Sequence, residues 1–195
     1  MNQIEEAYSI RNKNIIDIAV SFSAMIRVFE QGSKQKIVGK LENSFSLLAN
    51  IDGKDDFERI HSDFCEWFVK NVLTAEKVLK NKKIKKSRAA SYGQAAKVFN
   101  VALKVYVYYC NLPDYETATR LQPMLHCAVD TLMMGHLKKK YPKENLEAKT
   151  IEAVSKSDYV VLQKMVKQHM EDEFDKPLLP VQYEDIMWYG LNRRA

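Results

Sequence analysis

Very little in this chain could interrupt a helix. Its 195 residues include only six glycines and five prolines, and apolar residues recur at steps of three and four. That spacing lays one apolar stripe along a 3.6-residue helix, whereas a strand needs alternation. The sequence therefore predicts an all-α fold, a compact helical domain of about seven to nine helices. A first helix over 13–30 carries Ile15, Ile16, Ala19, Phe22, Ile26 and Phe29, and a second covers 36–50. Asp55 and Asp56 start a long helix whose Phe57, Ile60, Phe64, Phe68, Val72 and Leu79 face a core. Further helices are expected over 94–110, 124–140, 145–156, 157–172 and 181–193.

A hydrophobic fraction of 46% fills a real core, and the length suits one domain spanning 1–195, divisible into subregions 1–86 and 87–195. No apolar run is long enough to span a membrane, and the N-terminus is acidic where a secretory signal is basic, so the expectation is a cytoplasmic protein without a membrane partner. Cys65, Cys110 and Cys127 form no Cys-x-x-Cys pair and sit in apolar helical patterns, which suggests buried thiols and no metal site.

Charge is distributed unevenly. Lys77, Lys80, Lys82, Lys83, Lys85, Lys86 and Arg88 fall together with no acid among them. Such a cluster, expected at the end of the long helix, suits a nucleic-acid backbone whose condensed counterions it would displace. It equally suits a solvated helix end that complements the macrodipole.

The helix over 94–110 is strongly apolar yet carries Gln94, Lys97, Asn100 and Lys104 at helical spacing on one face. Buried without partners, such groups cost roughly 1–3 kcal/mol each, so they either line a pocket or face solvent. Further on, His126 precedes Asp130, a carboxylate near a helix start that can cap amides or face a cation.

The segment 88–134 resembles the helix-hairpin-helix DNA glycosylase superfamily, and its spacing is similar to the archaeal 8-oxoguanine glycosylase branch. In that family a glycine-bearing hairpin leads into a helix that begins with a catalytic lysine, and Gly93 and Lys97-Val-Phe-Asn100-Val-Ala-Leu103 are similar to it. An aspartate in a Val-Asp-Thr setting follows, matched by Val129-Asp130-Thr131. Ala95 stands where the family's later hairpin glycine would be, and the four-cysteine cluster of some members is absent.

The resemblance implies a DNA glycosylase, with or without an abasic-site lyase step, that needs no cofactor. Lys97 would attack the sugar as a neutral amine and Asp130 would assist proton transfer. Gln94, Asn100, Lys104 and His126 would line the pocket for a flipped base, with Tyr92 or Tyr106 stacking on it. Lys82, Lys83, Lys85, Lys86, Arg88 and the Gly93 backbone would hold the nucleic acid, DNA in preference to RNA. Two other readings fit the same residues: a non-enzymatic helical module that binds nucleic acid or an acidic protein, and a glycosylase scaffold that recognises without cutting.

Overall fold

A computed structural model describes residues 3–78 and 83–192 and shows an all-α fold. The eight α-helices of the described residues are α1 (Gln3–Phe22), α2 (Ser33–Leu48), α3 (Lys54–Asn71), α4 (Tyr92–Leu103), α5 (Tyr115–Leu121), α6 (Thr131–Lys140), α7 (Lys156–Glu173) and α8 (Pro180–Asn192). Among the described residues, no helix is long and apolar enough to cross a membrane. Helix α4 lies at the centre, against α1, α3 and α7. Every α4 residue except Lys97 is buried, and among the described residues one hydrophobic cluster takes in side chains from both subregions.

Helix α4 starts where its sequence demands. Ser91 accepts from the Gln94 amide, and the Gln94 side chain accepts from the Ser91 amide. This reciprocal cap satisfies two of the donors that a helix start leaves orphaned. The helix then continues through a π-helical turn, Lys104–Tyr109.

Several expected elements differ. Helix α1 ends at Phe22, which is exposed, because Ser23 caps a separate short 3-10 turn at Ala24–Val28. The long helix α3 ends at Asn71 and does not carry the lysines. Val72 and Thr74 favour extended backbone, and tertiary bonds capture it: Glu30 N–H donates to Leu73 O and Ala75 N–H to Val28 O. An antiparallel ribbon follows, with β1 (Leu73–Thr74) on β4 (Arg88–Ala89) and β2 (Lys77–Val78) on β3 (Ile84–Lys85). Leu79, Lys80 and Lys82 lie outside the described residues. The expected helix over 145–156 reduces to one 3-10 turn, Ile151–Ala153. Lys138 donates to the carbonyls of Leu146 and Ala148, which are then committed to a tertiary partner. Helix α5, capped by Asp114, has no counterpart among the helices expected from the sequence, and Trp188 on α8 is exposed.

Gly93 marks the closest approach of α4 to a neighbour. A Cβ built there would stand 2.5 Å from Val154 Cβ and 2.7 Å from Ile151 O. Gly93→Ala should therefore cost about 1–3 kcal/mol through overpacking, more than its gain in helix propensity. A thermal unfolding scan should show the melting temperature falling by several degrees, and an unchanged value would refute the close-approach argument.

Candidate functional site

Asn100 projects from α4 into a buried polar chain, with only 2% of its surface exposed. Its Nδ2 donates to the Cys127 carbonyl at 3.2 Å and to the Tyr159 oxygen at 2.9 Å. A carbonyl only accepts, so the amide orientation is fixed and Oδ1 must accept from His61 Nε2, 3.0 Å away. The rest of the proton pattern follows from that. Tyr159, its oxygen already accepting, donates to His126 Nδ1 at 2.8 Å, and His126 Nε2–H donates to Glu58 Oε1 at 2.9 Å. His61 Nδ1 is left to accept from the Cys65 thiol. Among the described residues, no buried side-chain nitrogen or oxygen lacks a partner.

Burial, with the neighbouring His126, pushes His61 down to about 3 and keeps its ring neutral, against the opposing effect of Asn100. The hydrogen bond from His126 holds the Glu58 carboxyl below its usual range. Burial raises the Cys65 and Cys127 thiols, so both are unreactive in place.

This chain forms the floor of a cleft of about 890 Å³ between α3 and α7. Glu58, His61, Tyr92, His126 and Tyr159 line it. Lys54 and Arg59 of α3 and Lys156, Lys164 and Lys167 of α7 supply five cations, against Glu58 as the one acid of the lining. Met124, Leu125, Val160, Met170 and Leu178 give it apolar walls. A neighbouring cavity of about 530 Å³ shares Tyr92 and Lys156 and adds Lys70 and residues 153–155. Glu152, next in sequence to that cavity, pairs with Lys85 and Arg88 of the ribbon.

Of the four residues expected in a pocket, only His126 lines the cleft. Asn100 sits behind it. Gln94 is consumed by the α4 cap and a contact with Met25 Sδ. Lys104 is buried against Glu184 at 3.0 Å and Asp185 at 2.6 Å. Burial alone would lower its pKa, but the two carboxylates outweigh that and hold the amine protonated.

Lys97 is half-buried on α4 and lines none of the cavities described here, and it has no hydrogen bond or ion pair among the described residues. Asp130 caps α6 by accepting from the Met133 amide at 2.9 Å and does not line the cleft either. Gly93 cannot offer its amide to a phosphate, because the N–H is buried and donates to Val154 O. Lys83 and Lys86 are exposed on or beside the ribbon, and Lys82 lies outside the described residues. Tyr92 lines the cleft, while Tyr106 packs in the core against Phe45.

Glu58, His61, Tyr159 and the five cleft cations carry no motif that singles them out in the sequence. One signal was available: His61 occupies a core position on α3, among Phe57, Ile60 and Phe64. Among the described residues, no group of three or more His, Cys, Asp or Glu side chains is placed to hold a metal ion. Comparison with protein-family models, curated proteins and solved structures gives no match for this chain.

The depressed His61 value fixes a pH dependence. An unfolded histidine titrates near its ordinary value of about 6.5, so acid favours the unfolded chain, which takes up the proton more readily. Stability from this ring is complete above that value and is lost as the pH falls toward about 3, with a slope of at most about 1.4 kcal/mol per pH unit. Denaturant unfolding between pH 7 and 4 should show this slope, and His61→Gln should flatten it. Equal slopes in both proteins would count against a neutral buried ring.

Proposed function

We propose that the protein binds nucleic acid, with the cleft between α3 and α7 receiving one unstacked nucleotide of a single strand. One observation carries the reading: five cations from two facing helices converge on a cleft with apolar walls and a polar floor. Its volume falls in the range of sites for small ligands, about 300–1,000 Å³. A single nucleotide matches that size, whereas a base inside a duplex must first leave its stack to enter.

The cations have partners that are easily exchanged. Arg59 pairs with Asp56, Lys156 with Glu66, Lys164 with Glu144 and Lys167 with Glu171, all at least partly exposed. Exposed pairs of this kind contribute roughly 0–1 kcal/mol, so a phosphate can replace the carboxylate with little loss. Lys70 and the ribbon lysines extend the basic surface past the second cavity and would take the flanking phosphates. The reading assigns no covalent step to Lys97, because that amine does not line the cleft.

Fluorescence anisotropy with a labelled 12-nucleotide single strand tests this. Affinity should fall with added salt, and Lys156→Glu/Lys164→Glu/Lys167→Glu should weaken binding at least tenfold. That variant should also reduce the slope of log K against log salt by about 2, for three lost phosphate contacts at about 0.7 each. Lys97→Gln should bind like the parent, and borohydride should trap no adduct on an abasic-site strand. Salt-insensitive binding, or binding unaffected by the triple reversal, would refute the proposal.

A further inference from the structure

A cleft that attracts phosphates with five cations gains nothing for that task from a carboxylate. Glu58 nevertheless lines it, with 43% of its side chain exposed. Its Oε1 accepts from His126 Nε2–H, and Oε2 has no hydrogen bond among the described residues. We propose that Glu58 reads the base of the bound nucleotide and selects guanine, whose Watson–Crick edge sets two donors side by side. The inference rests on the nucleic-acid reading above and adds a base preference to it.

The hydrogen bonds of the cleft floor fix what Glu58 can offer. Tyr159 donates to His126 Nδ1, so the ring carries its proton on Nε2, where Glu58 accepts it. That bond holds the Glu58 carboxyl below its usual range, so at neutral pH the group is ionised and only accepts. An ionised carboxylate has about four lone-pair sites. His126 occupies one on Oε1, which leaves the other on that oxygen, and those on Oε2, for a ligand.

The bases differ in how they meet such an acceptor. Guanine presents N1–H beside its N2 amino group, two donors that match the two oxygens of a carboxylate. Adenine and cytosine each present one amino donor beside a ring nitrogen that only accepts, and thymine presents one N–H between two carbonyls. An accepting atom set against a carboxylate is repelled, so guanine alone makes both bonds without conflict. Guanine O6 lies next to those donors and itself accepts. Lys54 stands one turn before Glu58 on α3 and lines the same cleft, and its charge favours the ionised carboxyl, so a cation is at hand for O6. The apolar walls, among them Met124, Val160 and Met170, lower the local dielectric and strengthen these charged bonds.

The position of the His126 proton also dictates what a substitution does. In Glu58→Gln the amide oxygen turns to His126 Nε2–H, and the NH2 group turns to the cleft. A donor then faces the ligand, where it opposes the guanine donors and suits adenine N1 or cytosine N3. A carboxylate that served only to orient His126 would produce no such reversal.

The test uses the full chain and fluorescein-labelled 12-nucleotide strands of thymidine, either uniform or with one central guanine, adenine, cytosine or hypoxanthine. In anisotropy titrations at one salt concentration, the wild type should bind the guanine strand about tenfold more tightly than the adenine, cytosine and all-thymidine strands. Hypoxanthine keeps N1–H but lacks the amino group, so its strand should fall between, and this comparison needs no variant. Glu58→Gln should bind the adenine or cytosine strand more tightly than the guanine strand. Should circular dichroism show that variant unfolded, Glu58→Ala takes its place and should bind all the strands to within about threefold of one another. Equal affinities of the wild type for all the strands, hypoxanthine bound as tightly as guanine, or a guanine preference that survives the substitution would overturn this inference and leave the binding proposal standing. Failure to bind any strand would overturn both.

Discussion

Everything near the cleft depends on one buried amide. Asn100 ties four stretches of chain that are distant in sequence: its own helix α4, His61 of α3, the Cys127 carbonyl in the extended segment before α6, and Tyr159 of α7. A carboxamide offers two donors and an acceptor in a plane, and all are used here. An apolar residue of similar size would pack against the same neighbours, but it would leave a carbonyl, an imidazole and a phenol without partners. Each such orphan costs about 1–3 kcal/mol. The arrangement therefore specifies one register of the helices, and it also sets which ring nitrogen of His126 carries the proton.

The fold class could be read from the sequence because burial on helices follows a period, and periods survive in a linear string. Phe57, Ile60, Phe64 and Phe68 on α3 all lie where their spacing placed them, in the core. What the string does not hold is the competition from distant backbone. Val72 to Ala75 leave the helix because residues 28–30 pair with them, and 146–148 stay unwound because Lys138 holds two of their carbonyls. The cleft was harder still to foresee. Its cations come from α3 and α7, which lie far apart in the chain, and on each helix alone they look like an ordinary solvated face.

The polar residues of α4 show why spacing misleads on a buried helix. Gln94, Lys97, Asn100 and Lys104 share a helical face and suggest one site. Yet α4 is surrounded, and three of the four meet different neighbours. Gln94 takes the Ser91 cap and Met25, Asn100 takes α3 and α7, and Lys104 takes the carboxylates of α8. Asp130, the other half of the motif, is occupied with the first amides of α6. Residue types that would serve a lysine nucleophile also serve caps, close contacts and buried pairs, and only the neighbours distinguish these uses.

Two kinds of ion pair separate the structural charges from the available ones. Lys104 has 7% of its side chain exposed and faces two carboxylates. Removing either partner would strand a charge in a poorly solvated place, so the pair is committed to holding α8 against the π-helical turn. Lys156 and Lys164 sit in the opposite situation, with 57% and 67% of their side chains exposed and their acids also partly in water. Water screens those pairs, and separating them costs little. A cleft that must exchange internal carboxylates for a ligand's phosphates needs cations of this second kind, and they are the ones found on its lining. The neutral histidine, phenol and amide beneath them add orientation without adding charge, so the floor can remain rigid while the lysines change partners.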